Sequence, residues 1–188
     1  MRLPLISPAE LTDEQKLVQE TAREFAHNDI APTLVEEEKN HEFRLDRVAR
    51  MGELGFFSCG VPEELGGTGF GFMESVLMAE QIAKVSASWR LPFNMQNLGP
   101  ALTVAKFGTE AQQHKFIPGW VAGTQIGFFG MTEPESGSDV ASMKTVARDL
   151  GDHRELRGNK IWVSNAVEGD AEVVLPIADD GLQALGVS

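Results

Sequence analysis

Basic residues are scarce in this 188-residue chain: 16 Lys and Arg stand against 28 Asp and Glu, a formal net charge of −12. Such a balance argues against nucleic acid and anionic membrane surfaces as partners. Cysteine is nearly missing. Cys59 stands alone, so no internal disulfide framework can form, and a small buried hydrophobe in a reducing cytoplasm is the expected role. Long apolar runs are missing too. No stretch approaches the roughly 18 residues that cross a bilayer, and the opening MRLPLISPAELTDEQ has no apolar signal core. A protein without a membrane span is expected. His27, His41, His114 and His153 lack ligand spacing and there are no paired cysteines, so no metal site is expected. The glycines Gly66, Gly67 and Gly69 follow no strand in a βαβ setting and read as a loop, which leaves a nicotinamide-nucleotide reading unsupported.

What is present is globular: 42% hydrophobic and 23% charged residues, without repeats or low-complexity tracts. Residues 1–125 read as a helical domain. Thr12-Asp13-Glu14-Gln15 is a capping box, in which the hydroxyl and the Gln three residues on serve each other's free amides. It opens a helix with Leu17, Val18, Thr21, Ala22 and Phe25 on one face, ended or kinked at Pro32. The acidic run Glu36-Glu37-Glu38 reads as a solvated face. Further helices are expected over 46–54, over 73–86 with Val76, Ala79 and Ala83 at helical spacing, over 98–107 and over 110–122.

The character changes at Gln125. Short β-rich runs follow at 126–131, 145–148, 160–164 and 172–175, separated by Gly151-Asp152 and Gly158-Asn159. Residues 126–188 therefore read as the start of a β-domain, a barrel or sandwich, and the fold class as α+β. Pro176 interrupts the last run, and a loop-like tail is expected after it.

Two segments carry chemistry. In a strand, residues two apart share a face at a separation of about 7 Å, so 160–164 read as a strand turns Trp162 and Ser164 one way and Ile161 and Val163 the other. Alone, that is better read as a core Trp beside a turn Ser. Upstream, GMTEPESGSDV (130–140) is a Ser- and Asp-rich turn that needs no function by itself.

Taken together, 128–166 (FFGMTEPESGSDVASMKTVARDLGDHRELRGNKIWVSNA) resembles the flavin-contacting segment of acyl-CoA dehydrogenases. VPEELGGTGFGF (61–72) resembles the loop before that family's central helix, and FGTEAQQHKFIPGWVAG (107–123) its last helix pair before the sheet. The resemblance implies FAD as cofactor and α,β-dehydrogenation of an acyl-CoA thioester. Phe129, Met131, Thr132, Trp162, Val163 and Ser164 then become cofactor contacts. Thr132 meets the pyrimidine edge, Trp162 covers a ring face, and Ser164 bonds near N5. Ser138 matches a serine that contacts the acyl-CoA chain.

VSASWRLPFNMQ (85–96) resembles the glutaryl-CoA dehydrogenase branch, where an arginine at the Arg90 position meets the distal carboxylate of the substrate. A surface or interhelical ion pair is the alternative for Arg90, and relatives acting on cyclic or aliphatic acyl-CoAs carry similar segments. The resemblance places the proton-abstracting glutamate in a C-terminal helical domain outside this chain, so no catalytic residue is assigned here, and Glu133 and Glu135 are read as parts of a binding loop. It also implies a homo-oligomer, commonly a tetramer, and an electron-transferring flavoprotein as acceptor. Two competing readings are a non-catalytic flavin or acyl-CoA binder and a helical interaction module.

Overall fold

A computed structural model describes residues 10–178, 181–182 and 185–187. The first nine residues of the opening stretch, read above for a signal core, lie outside them. Among the described residues are seven α-helices: α1 (Asp13–Phe25), α2 (Leu34–Asn40), α3 (Leu45–Glu53), α4 (Phe72–Val85), α5 (Ala87–Leu98), α6 (Pro100–Phe107) and α7 (Glu110–Val121). Seven short strands follow: β1 (Gly127–Gly130), β2 (Val146–Asp149), β3 (Arg154–Arg157), β4 (Ala171–Val174), β5 (Ile177–Ala178), β6 (Gly181–Leu182) and β7 (Leu185–Val187). The architecture is α+β, helices first. No described helix is long and apolar enough to cross a membrane.

The Thr12 capping box forms with both bonds at 3.1 Å, and α7 opens on a second one between Thr109 and Gln112. After α1 the chain passes through a π-helical turn, Ala26–Ile30, before Pro32. Two apolar clusters form the core. In the first, Ala22 and Phe25 of α1 meet Val48 and Met51 of α3, Met78 and Ile82 of α4, and Trp89 and Phe93 of α5. In the second, Val104 of α6 and Ile117 and Trp120 of α7 meet Ala171 and Val173 of β4. This second cluster is where helices and sheet join.

Three expectations for the helical part need correction. On α4 the buried residues are Ser75, Leu77, Met78, Gln81 and Ile82, while Val76 is 60% exposed and Ala83 is exposed; the inner face carries polar groups that apolar counting passes over. Leu17 is likewise exposed on α1. The acidic run is not uniformly solvated. Glu37 is buried and takes a two-pronged ion pair from Arg47 at 2.6 and 2.8 Å. Cys59 is buried as expected, and burial pushes its thiol up to about 11, which keeps it protonated and unreactive at neutral pH.

The strands form two sheets. One has the order β1-β4-β7, with β1 parallel and β7 antiparallel to β4; the other has the order β3-β2-β5-β6. The tail is not loop-like, since β5, β6 and β7 follow Pro176. Pro176 instead marks a change of sheet. The Leu175 amide donates to Gly130 of the first sheet at 3.0 Å, and the Ile177 amide donates to Thr145, beside β2 of the second, at 2.8 Å. Between them stands the one residue type with no amide to satisfy.

Candidate functional site

The turn after β1 is built around a buried carboxylate. Glu133 and Ser136 exchange backbone bonds at 2.8 and 3.2 Å, closing a tight turn across Pro134. The Glu133 side chain is 5% exposed, and its oxygens accept from the Lys144 amide at 2.6 Å, the Thr145 amide at 2.9 Å and the Lys160 ammonium at 2.8 Å. Burial alone would push this carboxyl up. The Lys160 ammonium and the amides outweigh it and hold the carboxyl down to about 2. An acid so stabilised as its anion is a poor general base near neutral pH. Glu133 therefore organises the loop. Glu135 is exposed and paired with Lys144.

A dependence of stability on pH follows. Between about 2 and the ordinary 4.5 the native state binds fewer protons at Glu133 than the unfolded chain does, so stability rises with pH there. The contribution is full above that window and lost as pH falls through it, on the order of 3 kcal/mol in all. Urea unfolding across the window should show this slope, and Glu133→Gln should flatten it.

Lys160 reaches further. Its ammonium also donates to the Met131 carbonyl at 3.0 Å, and the next amide, that of Ile161, donates to the Thr132 carbonyl at 2.9 Å. Side chain and main chain together stitch 160–161 to 131–133. Here one expectation fails: 160–164 is not a strand. Trp162 has φ +58° and Asn165 φ +68°, and the Ala166 amide turns back to the Val163 carbonyl at 3.4 Å. Beyond the end of β1 the segment makes one ladder-like bond rather than a series, so it joins neither sheet. Trp162 and Ser164 therefore share no strand face, and their adjacency rests on the turn. A left-handed tryptophan costs ~1–2 kcal/mol and persists only where its surroundings over-determine it.

Trp162 is 85% exposed, and Met131 is exposed beside the stitched segment. Thr132, Val163 and Ser164 are half-buried, and among the described residues neither the Thr132 nor the Ser164 hydroxyl has a hydrogen-bond partner. Free hydroxyls next to an uncovered indole suit a flat heteroaromatic ring, so the residues fit a flavin. Phe129 differs: its side chain packs against the second core cluster, where helices and sheet join. Ser138 is exposed. Arg90 is half-buried in α5, and no ion-pair partner meets it among the described residues, so the interhelical ion pair does not form. Arg90's helix reaches the flavin-type segment, because Trp89, Pro92 and Gln96 line one narrow cleft with Asn165.

Sequence reasoning missed the residues that assemble this site. Gln96 donates to the Trp120 and Gln125 carbonyls at 2.9 and 2.8 Å and accepts the Gly127 amide at 2.9 Å, fixing the first residue of β1 to the helices. Asp170 accepts the Ile126 amide at 2.7 Å. Glu172 lies over Gly130 of β1, where a side chain on Gly130 would collide with it; burial pushes its carboxyl up, against the pull of Lys160. None has a local sequence signal, because every partner is distant along the chain.

Residues 12–124 match the N-terminal domain of acyl-CoA dehydrogenases and residues 128–188 the middle domain. The chain belongs to the acyl-CoA dehydrogenase family. It is 36% identical to glutaryl-CoA dehydrogenase of Desulfococcus multivorans, covering 95% of this chain and 46% of that protein. The human mitochondrial short-chain specific acyl-CoA dehydrogenase is also 36% identical, with 95% and 43% covered. Among solved structures, a glutaryl-coenzyme A dehydrogenase in complex with glutaryl-CoA superposes with a TM-score of 0.91 at 36% identity, covering 95% of this chain and 47% of that one. The chain thus spans about half the length of these acyl-CoA dehydrogenases. Equal identity to a glutaryl-CoA and a short-chain enzyme means overall similarity does not choose a substrate.

Proposed function

We propose that this chain forms the flavin wall and part of the acyl-facing helix of an FAD-dependent acyl-CoA dehydrogenase, with glutaryl-CoA as its substrate. The observation that carries the reading is the stitched pair of segments, which presents an uncovered Trp162 beside the Thr132 and Ser164 hydroxyls, neither of which has a partner among the described residues. Met131 and Val163 flank that wall, and Phe129 supports it from the core side. When bound, FAD supplies the acceptor for the hydride leaving the substrate's β-carbon. The chain's own part is to hold the ring, keep water off the covered face and orient the thioester, with Ser138 toward the acyl-CoA chain. Arg90 gives the substrate class: a guanidinium fork suits a terminal carboxylate. An electron-transferring flavoprotein as acceptor and a tetrameric assembly complete the reading, as does a division into units 1–125 and 126–188.

The test is direct. Purified protein mixed with FAD should retain a flavin absorbance band, and an acyl-CoA should shift that band on binding; bleaching is expected only when the glutamate-bearing C-terminal domain is supplied as well. A protein that holds no flavin would reduce the reading to a helical interaction module; a flavin that no acyl-CoA bleaches with that domain present would reduce it to a binder. Trp162→Ala should weaken FAD retention by roughly 1–3 kcal/mol, the value of stacking one indole face on the ring. Unchanged retention would remove Trp162 from the wall.

A further inference from the structure

Lys160 lies next to the site without belonging to any of its assigned contacts. Its side chain is 9% exposed, a costly place for an ammonium unless something is gained. It touches the Glu133 carboxylate at 2.8 Å, the Met131 carbonyl at 3.0 Å and the Met143 sulfur at 4.0 Å. Two residues on, Trp162 is exposed with φ +58°. Its ring has almost no packing to hold it, so the pose of the indole is set through the backbone alone. On the C-terminal side that backbone has a single weak turn bond, Ala166 to Val163 at 3.4 Å. On the N-terminal side it has the Ile161 amide on Thr132 and the Lys160 clamp.

We propose that Lys160 is a positioning residue: held by Glu133 and the Met131 carbonyl, it keeps Trp162 in the left-handed pose that offers its indole to the flavin. The inference rests on the flavin reading above. It differs in predicting that a group which never touches the cofactor sets how well the cofactor binds. Without the clamp, Trp162 relaxes toward ordinary backbone angles and spends only part of its time in the competent pose. Apparent affinity falls by that fraction, about tenfold if the pose is kept one-tenth of the time.

The test uses the 188-residue chain labelled with 5-fluorotryptophan, whose three tryptophans give three fluorine resonances, that of Trp162 identified by its loss in Trp162→Phe. In the flavin-free protein, Lys160→Met should shift or broaden the Trp162 resonance and leave those of Trp89 and Trp120 in place. FAD titration should then show the roughly tenfold weaker binding. Glu133→Gln should act alike, and Lys160→Arg, which keeps a charged donor, should restore most of both signals. A Trp162 resonance that stays put in both Lys160→Met and Glu133→Gln overturns the proposal. So does a shift of all three resonances together, which marks general loosening, or a Trp162 shift with unchanged FAD affinity. If the unsubstituted chain binds no FAD, the functional reading fails and takes the positioning role with it. That failure is recognisable as its own, because the fluorine measurement needs no flavin.

Discussion

Arg47→Met should cost the fold about 3–5 kcal/mol, the penalty for removing one partner of a buried ion pair and stranding the other. Both side chains of the Arg47–Glu37 pair are 5% exposed, and the guanidinium is committed in three directions. It grips both Glu37 oxygens, donates to the Thr33 hydroxyl at 3.1 Å, and lies over the Trp89 ring at 4.6 Å. Arg47 holds the Glu37 carboxyl below its usual range. In the variant that carboxylate keeps its burial and loses its cation, with only Thr33 and the more distant Arg44 left to it. Denaturant unfolding should show a lower midpoint with an unchanged slope, and a deficit that shrinks at acidic pH, where protonation removes the stranded charge. Converting both partners, Arg47→Met with Glu37→Leu, should recover most of the loss, because neither desolvated charge remains. A double variant as unstable as the single one would show that the packing of Arg47 on Trp89 carries the stability. The prediction also bears on the site, since Trp89 precedes Arg90 on α5 and lines the cleft shared with Asn165.

Glu37 also shows where a sequence is legible and where it is not. The start of α1 was readable because a capping box is a local bond between residues three apart, and the same holds for α7, whose cap outweighs the interior Pro118. Glu37 reads as one more acid in a solvated run because its partner lies ten residues away on another helix. Pro92 masks α5 as a helix in the sequence; its Ser86 cap, accepting the Trp89 amide at 3.1 Å, is the local signal that marks it. β3 has the sequence RELR, almost no apolar signal, and occupies a sheet edge. The 160–164 segment erred the other way. Its apolar alternation is that of a strand, but it joins neither sheet, and the chain turns left-handed at Trp162. The candidate site residues come from the resemblance alone. Their mutual placement was not legible in the sequence, since Glu133, Lys160 and Gln96 set it over long separations.

The second large effect concerns Arg90. In a chain with 28 carboxylates, a half-buried arginine that meets none of them among the described residues leaves its guanidinium for the proposed substrate carboxylate. If that is a terminal carboxylate in a desolvated pocket, removing the guanidinium leaves the substrate's charge unpaired, at a cost of about 2–5 kcal/mol. Arg90→Ala should therefore weaken glutaryl-CoA by roughly 30-fold or more relative to butyryl-CoA, because only the former presents the charge. Affinities can be read from perturbation of the flavin spectrum, and kcat/KM where turnover is present. Arg90→Lys should recover only part of the difference, since an ammonium cannot make the two parallel bonds of the fork. Equal losses on both thioesters would assign Arg90 to the helix or to the CoA moiety. The equal 36% identities to a glutaryl-CoA and a short-chain enzyme would then be broken toward the short-chain substrate. A larger loss on butyryl-CoA has no account in a carboxylate-binding arginine, and would require the α5 face to contact the aliphatic chain itself.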